Sequence, residues 1–300
     1  MASYHNPVLL GQSVEALVTN PDGMYADVTF GGGGHSRAIL SKLSPQGKLF
    51  AFDQDPDSAG NLIDDERFQF IPHNFRYLKK FLQYYHAFPI DGILADLGVS
   101  SFQFDTPERG FSYRFEGKLD MRMNTNKGNT AYDIVNEYPE QRLVDLFYKY
   151  GELPNAKRIA DKIVQSRSER KIATTTDLVE LISPMSPPNK VNKMLSQLFQ
   201  ALRIEVNEEI EILKDFLLQT ADAIKPGGRL VVISYHSLED RLVKNFMKSG
   251  NFSGEVEKDF YGNPLVPFKV LSAKAIVPDE EEIENNSRAR SAKLRIAVKL

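Results

Sequence analysis

The residues with the plainest chemical reading are Asp27-Val-Thr-Phe-Gly-Gly-Gly-Gly-His35, an apolar run that ends in four glycines and opens into a helical pattern. Consecutive glycines let a ligand approach the backbone closely, and a helix N-terminus offers N–H groups that have no intrahelical partner. A nucleotide-like ligand suits such a turn; the plain alternative is a strand-to-helix turn with no ligand, which does not require four glycines. Two phosphate cradles do not fit. No Lys-Ser/Thr follows the glycines, and a G-x-G-x-x-G register begun at Gly31 meets Ser36 where its third glycine should stand. Asp53 lies 20 residues beyond Gly33, where a carboxylate reaches the ribose hydroxyls of an adenosine-containing ligand. NAD and S-adenosylmethionine both carry that ribose, so Asp53 leaves the two open. Acidic Asp27 and Asp96, each at a predicted strand end, are better neighbours for a sulfonium than for a pyrophosphate. A further run, Tyr235-His-Ser-Leu-Glu-Asp-Arg241, follows a later strand. Ser237 and Asp240 there resemble a capping box, which leaves His236 one position before the cap and facing the ligand edge.

These residues need a frame. Strands are predicted near Met24 to Thr29, Lys48 to Asp53, Phe68 to Ile71 and Gly92 to Leu97, with helical spacing at Ser36 to Leu43 and Asn74 to Tyr85. That alternation is the pattern of βαβ units in a parallel sheet, and ligands bind such sheets where the strand order reverses. From about Gln103 to Arg203 the strand signal disappears. Helices there include one between Pro139 and Gly151 and one from Asn155, while Ser183 to Asn189 reads as a loop. A helix over Asn207 to Ile224 then stops at Pro226-Gly-Gly228, a buried-type strand follows over Arg229 to Tyr235, and Phe268 to Leu271 with Leu294 to Leu300 form a candidate antiparallel pair. The acidic run Asp279 to Glu284 reads as a solvated loop. The pattern predicts a discontinuous α/β domain over 1–102 and 204–300 that carries an inserted, mainly helical domain over 103–203.

Composition narrows the chemistry further. The 300 residues include no cysteine, which excludes disulfides, zinc ribbons, cysteine-held iron–sulfur clusters and thiolate nucleophiles, and no metal-ligand spacing is apparent. No window approaches about 18 consecutive apolar residues, and the first residues lack a basic segment followed by an apolar one, so the chain reads as soluble, cytoplasmic and unprocessed. The net charge of −3 hides an asymmetry: residues 103–203 hold 16 basic and 13 acidic side chains, net +3, leaving 21 and 27 elsewhere, net −6. The local excess is concentrated in Lys157, Arg158, Lys162, Arg167, Arg170 and Lys171. It is either a solvated helix face or a patch that tracks phosphates.

Seven stretches, in order, carry a resemblance: DVTFGGGGH (27–35), DGILADLGVSS (91–101), RGFS (109–112), LDMRM (119–123), FQALRI (199–204), HSLEDR (236–241) and SRARS (287–291). Together with His5-Asn-Pro-Val8 they make nearly the whole chain similar to the bacterial ribosomal RNA small subunit methyltransferase H family. The resemblance implies a class I, Rossmann-like S-adenosylmethionine-dependent methyltransferase sheet with an inserted helical, substrate-recognition domain. It also implies methyl transfer to the exocyclic N4 of a cytidine in the decoding region of 16S rRNA, with the small ribosomal subunit as partner, no membrane, and a homodimer as an open question. The cofactor contacts it implies are Gly33, Gly34, His35, Asp53, Phe75, Asp96 and Gln103. The chain departs from the family pattern at Gln12, where Glu is usual, at Phe102 and Lys118, which replace prolines, and at Lys193 to Leu198, which replace a stretch with Pro and Arg.

Transfer from a sulfonium is an in-line displacement, for which held geometry supplies roughly 7–11 kcal/mol in favourable cases. The N4 lone pair is delocalised into the ring, so a catalyst should accept hydrogen bonds from the N4 hydrogens. Asp96 and His236 are the candidate acceptors, with Ser100 next. The absence of cysteine supports an amine target, because methylation at pyrimidine C5 ordinarily uses a cysteine attack on C6. Two other readings stay in play: a nicotinamide-dependent oxidoreductase on the same sheet edge, and a non-catalytic, cofactor-sensing RNA-binding or assembly factor.

Overall fold

Apolar runs of four to seven residues become β1 (Met24–Asp27), β2 (Lys48–Phe52), β3 (Phe68–Ile71) and β4 (Ile90–Asp96) in a computed structural model that describes residues 7–300. His5, Asn6 and the N-terminal stretch read for processing lie outside the described residues. With β5 (Ile224–Ser234), β6 (Phe268–Val270) and β7 (Lys293–Lys299) these strands form one seven-stranded sheet in the order β3-β2-β1-β4-β5-β7-β6. Neighbours from β3 through β5 are parallel; β7 runs antiparallel to both β5 and β6. The predicted closing pair is therefore present. The order reverses between β1 and β4, and the carboxyl ends of these strands meet there, which is where open α/β sheets bind ligands.

Both faces of the sheet are covered, because alternate strand residues point to opposite sides. On one face Tyr25, Leu49, Leu94 and Val231 pack with Val14 and Leu17 of α1 (Leu10–Leu17) and Ile39 of α2 (Gly34–Lys42). On the other, Ala26, Phe50, Ile93 and Val232 pack with Leu78 and Leu82 of α3 (Leu78–Tyr84). Further helices on that second face appear after the helical unit has been passed.

The chain divides into two compact units: residues up to Gly98 with Ile210–Leu300, and Val99–Glu209. The second unit contains α4 (Ser101–Asp105), α5 (Ala131–Glu137), α6 (Glu140–Lys149), α7 (Ala156–Glu169), α8 (Thr175–Ile182) and α9 (Pro188–Asn207). Leu143 and Phe147 of α6, Ile159 and Ile163 of α7 and Leu198 and Leu202 of α9 are fully buried, and α6 packs on both α7 and α9. The unit starts before Gln103 because Ser100 caps α4, and it extends past Arg203 because α9 is continuous to Asn207. The sheet unit resumes in α10 (Glu209–Ala223), with α11 (Ser237–Ser249) following β5 and α12 (Glu280–Asn285) preceding β7. Phe216 of α10 and Phe246 of α11 fill the second face of the sheet.

Four local readings are corrected. The stretch 183–189 is not all loop: a 3₁₀ turn over Ser183–Met185 is followed by α9, which starts at Pro188, a residue whose missing N–H costs nothing in a first helical turn. The helix over 207–224 is shorter, since Glu208 sits at φ 51 between α9 and α10, and Ile224 already belongs to β5. The helix at 74–85 begins as a 3₁₀ turn over Phe75–Tyr77. The acidic run is α12, nucleated by Asp279, whose side chain accepts the Glu282 N–H, with three glutamates in the first turn where the helix dipole favours them. Among the described residues no helix is long and apolar enough to cross a membrane.

Candidate functional site

The glycine turn is closed by the Gly33 N–H, which donates to Phe30 O at 2.7 Å, and is held further by its neighbours. Phe30 N–H donates to Phe52 O at 2.9 Å, which fastens the exit of β1 to β2. Asp53, next along, accepts the Gly31 N–H on Oδ2 at 2.7 Å and the Asp55 N–H on Oδ1 at 2.8 Å. Asn61 donates to Gly31 O at 3.0 Å and Arg37 to Gly32 O at 2.7 Å, so the turn's carbonyls are satisfied by side chains. What is left open is the Gly32 backbone: among the described residues its N–H has no hydrogen-bond partner, and a Cβ built there would meet nothing within 4 Å.

The two expected glycines have different reasons for being glycine. Gly33 caps α2 at φ +75, and a Cβ on it would come within 2.9 Å of the Phe30 ring. A Cβ on Gly34 would lie 2.2 Å from Pro7 Cγ. The open member of the turn is thus Gly32, which spacing alone did not separate from the other three. His35 follows in the first turn of α2, buried, with Nε2 3.2 Å from Val8 O and Nδ1 3.7 Å from Asp96 Oδ2.

Three carboxylates stand at adjacent strand ends. Asp27 is fully buried; it accepts the Thr29 N–H at 3.1 Å and the Ser36 hydroxyl at 2.6 Å, and burial raises its pKa. Burial pushes Asp53 up to about 6, against the pull of the Asp55 and Gly31 N–H groups. Asp96 also rises to about 6, first by burial, with His35 and the Tyr235 hydroxyl pulling it down and the charges of Asp27 and Glu239 pushing it up. Its backbone is pinned, since Asp96 N–H donates to Thr29 Oγ1 at 2.7 Å and so ties β4 to the exit of β1. Tyr235, just past β5, donates its hydroxyl to Asp96 Oδ1 at 2.8 Å. Oδ2 accepts no hydrogen bond, and the side chain keeps 22 % of its surface exposed. Phe75, after β3, lies edge-on to Phe216 with centroids 5.2 Å apart and is half-buried, which leaves ring surface for a flat ligand.

His236 is placed differently from the expectation. It is itself the cap of α11, not the residue before a Ser237 cap. Its Nδ1 accepts the Glu239 N–H at 3.4 Å, which assigns the proton to Nε2, and Nε2 lies 3.1 Å from Glu239 Oε1. The partner carboxylate oxygen accepts the Tyr235 N–H at 3.1 Å. Glu239 therefore does for this turn what Asp240 was expected to do. Asp240 instead holds Arg295 at 2.6 Å and Lys293 at 3.1 Å, which lowers its pKa.

Ser100 and Gln103 belong to the helical unit, where they form a reciprocal capping box: Ser100 Oγ accepts the Gln103 N–H at 3.2 Å and Gln103 Oε1 accepts the Ser100 N–H at 3.0 Å. In the same unit Arg109 is buried and donates to Arg122 O and Met123 O, Arg122 makes a two-bond fork onto Asp120 at 2.8 Å each, and Arg203 makes one onto Glu209. Arg167 turns inward to Val135 O and Tyr138 O, and Arg170 pairs with Asp177. Of the basic cluster, Lys157, Arg158, Lys162, Arg170 and Lys171 are exposed.

A sheet of this order, with a glycine turn after β1 and carboxylates ending β2 and β4, defines a class I, Rossmann-like methyltransferase. The particular family follows from sequence: the profile of the MraW methylase family matches residues 2–300, and the chain belongs to that family. It is 57 % identical over 297 residues to the ribosomal RNA small subunit methyltransferase H of Bacteroides fragilis, covering 99 % of this chain and 98 % of that one. The protein of the same name from Flavobacterium johnsoniae is 58 % identical over the same shares of the two chains. Among solved structures, an rRNA methylase from Streptococcus thermophilus aligns over 100 % of this chain and 99 % of its own, at 12 % identity and a TM-score of 0.42.

Proposed function

We propose that this chain transfers a methyl group from S-adenosyl-L-methionine to the exocyclic N4 of a cytidine in the decoding region of 16S rRNA. The observation that carries this reading is Asp96: a carboxylate at the switch point of the sheet, fixed through one oxygen and its own N–H, whose other oxygen faces His35 Nδ1 at 3.7 Å and accepts no hydrogen bond among the described residues.

The residues present suit the donor. Gly32 offers an open amide with room for a close approach. Asp53 uses one lone pair of each oxygen on the turn and keeps others for ribose hydroxyls. Phe75 offers ring surface to adenine, and the family resemblance adds Gly33, Gly34, His35 and Gln103 as contacts. A buried edge with three carboxylates, faced by His35, favours a cationic ligand. When bound, S-adenosylmethionine supplies an electrophilic methyl on a sulfonium whose departure leaves a neutral thioether.

The chain's own part is positioning and proton handling. Asp96 Oδ2 accepts a hydrogen from N4, which raises electron density on the nitrogen and orients its lone pair. As the N–C bond forms, one N4 hydrogen leaves as a proton, taken by Asp96 and returned to solvent. The other two candidates are less suited to this role. Ser100 Oγ is a neutral hydroxyl that already accepts the Gln103 N–H; His236 Nδ1 accepts the Glu239 N–H, and its Nε2, which makes no hydrogen bond among the described residues, carries the ring proton and so cannot accept. On this reading His236 positions and does not accept. The target base must leave its stack to reach such a pocket, at a cost of a few kcal/mol, and phosphate contacts from Lys157, Arg158 and Lys162 in the helical, substrate-recognition unit offset it. The partner is 16S rRNA in the small ribosomal subunit, in the cytoplasm.

The test is nucleoside mass spectrometry of 16S rRNA after the protein is incubated with labelled S-adenosylmethionine and unmodified small subunits. Label in N4-methylcytidine at one decoding-region position is expected. Label on another base or on ribose would overturn the specificity, and cofactor binding without any label would leave a sensing or assembly factor in its place. A parallel titration with NAD should show no binding.

A further inference from the structure

Among the described residues Tyr235 is the side chain that donates a hydrogen bond to the Asp96 carboxylate, and no motif assigns it a part. It stands 139 residues from Asp96 in sequence, yet its hydroxyl donates to Oδ1 at 2.8 Å. The tyrosine is itself held at two points. Its N–H donates to Glu239 Oε2 at 3.1 Å, and its ring lies 3.5 Å from where a Cβ on Gly98 would stand; Gly98 sits at φ +102 just past the end of β4. Its phenol remains protonated because burial and the Asp96 charge both raise its pKa, so it is a permanent donor. With Oδ1 occupied and the Asp96 N–H bound to Thr29, the carboxylate is held in one orientation, and Oδ2, 3.7 Å from His35 Nδ1, keeps its hydrogen-bond capacity.

We propose that Tyr235 is a positioning residue for methyl transfer: it occupies Asp96 Oδ1 and thereby holds Oδ2 as the acceptor for the substrate amine. This rests on the reading of Asp96 given above. A hydrogen bond donated to a carboxylate favours its charged form, so the same contact keeps Asp96 ionised at lower pH than its buried position alone would allow. The charged and titratable groups around the pair are Asp27 after β1, His35 on α2 and Glu239 on α11 toward Asp96, and Glu239 with Glu282 of α12 toward Tyr235. His35 is the one member that offers positive charge, so loss of the Tyr235 hydroxyl leaves Asp96 facing mostly like charge.

The experiment compares wild type, Tyr235→Phe and Asp96→Asn. Tyr235→Phe keeps the ring and its packing and removes only the donor. In ligand-free protein, carbon-13 NMR of the Asp96 carboxyl should titrate about one pH unit higher in Tyr235→Phe than in wild type. In single-turnover methylation at saturating cofactor, the acid limb of the rate profile should move upward by the same amount. That gives about a tenfold loss near pH 5.5 that largely recovers by pH 8.5, with KM for the RNA little changed. An unmoved Asp96 titration and an unmoved acid limb in Tyr235→Phe overturn the proposal. If Asp96→Asn also retains wild-type turnover with its acid limb in place, the reading of Asp96 has failed. If Asp96→Asn abolishes turnover while Tyr235→Phe matches wild type, the role of Tyr235 alone has failed.

Discussion

The two units spend their polar side chains differently. In the sheet unit, motif residues lie at strand ends and keep some capacity in reserve: among the described residues, Asp96 Oδ2 accepts no hydrogen bond and the Gly32 N–H donates none. In the helical unit, the motif arginines are consumed internally. Arg109 holds two carbonyls, Arg122 holds Asp120, and Arg203 holds Glu209. A guanidinium spent on backbone carbonyls or forked onto a neighbouring carboxylate has little left for a ligand, so the same motif strength in sequence marks a site in one unit and a scaffold in the other. Exposed cations that belong to no motif include Lys157, Arg158 and Lys162 on α7.

The sharpest way to break this comparison is Asp96→Asn, which keeps shape but weakens the acceptor and removes the proton site. Single-turnover methylation at saturating cofactor should fall by about 10²–10⁴-fold. His236→Ala should cost mainly the stability of a helix cap, about 1 kcal/mol in chemical denaturation. Near-wild-type turnover in Asp96→Asn would remove the distinction between the two residues.

Next in size is charge reversal at Lys157, Arg158 and Lys162. Binding to RNA or small subunits should weaken by roughly 10²-fold at moderate salt and lose about two to three units from the log–log salt slope, with cofactor affinity unchanged. An unchanged slope would show that α7 is only a solvated face. Arg109→Ala tests the opposite side of the contrast: thermal or denaturant unfolding should show about 2 kcal/mol of lost stability, while S-adenosylmethionine affinity stays the same.

The smallest effect is a pH dependence. Asp53 and Asp96 are raised from 3.8 to about 6 in the folded chain, so the protonated forms favour folding. Their stabilisation is complete below about pH 4 and is lost as pH rises through about 6. Wild type should therefore lose about 2 kcal/mol relative to Asp96→Asn between pH 4 and pH 7 in denaturation series. A bound sulfonium acts in the opposite sense. Affinity for S-adenosylmethionine should rise with pH over that window, and affinity for its neutral thioether product should rise less.

Much of this molecule was legible along the chain because the signals are local. Short β-rich apolar runs placed β1 through β4 within one or two residues, and Leu143, Leu146 and Phe147 marked the buried side of α6. The misreadings are also local in origin. Pro188 was read as a loop residue, when a first-turn proline is equally a helix start, and the acidic run, which is solvated as expected, was read as a loop, when Asp279 could cap it as a helix. At His236 the choice between two adjacent caps turned on which side chain the turn points inward. Periodicity says nothing about that.

The linear sequence by itself determined the strand-to-helix glycine turn, the carboxylates at the ends of β1, β2 and β4, the helical interruption and the absence of thiol chemistry. Each depends on residue type and short-range spacing, which the chain carries wherever it folds. Only the tertiary structure decided that β4 lies between β1 and β5, that Thr29 and Tyr235 therefore grip Asp96 from two sides, and that Glu239 occupies His236. Strand partners and their register are chosen by packing across the whole sheet, so contacts spanning 139 residues have no counterpart in any local pattern.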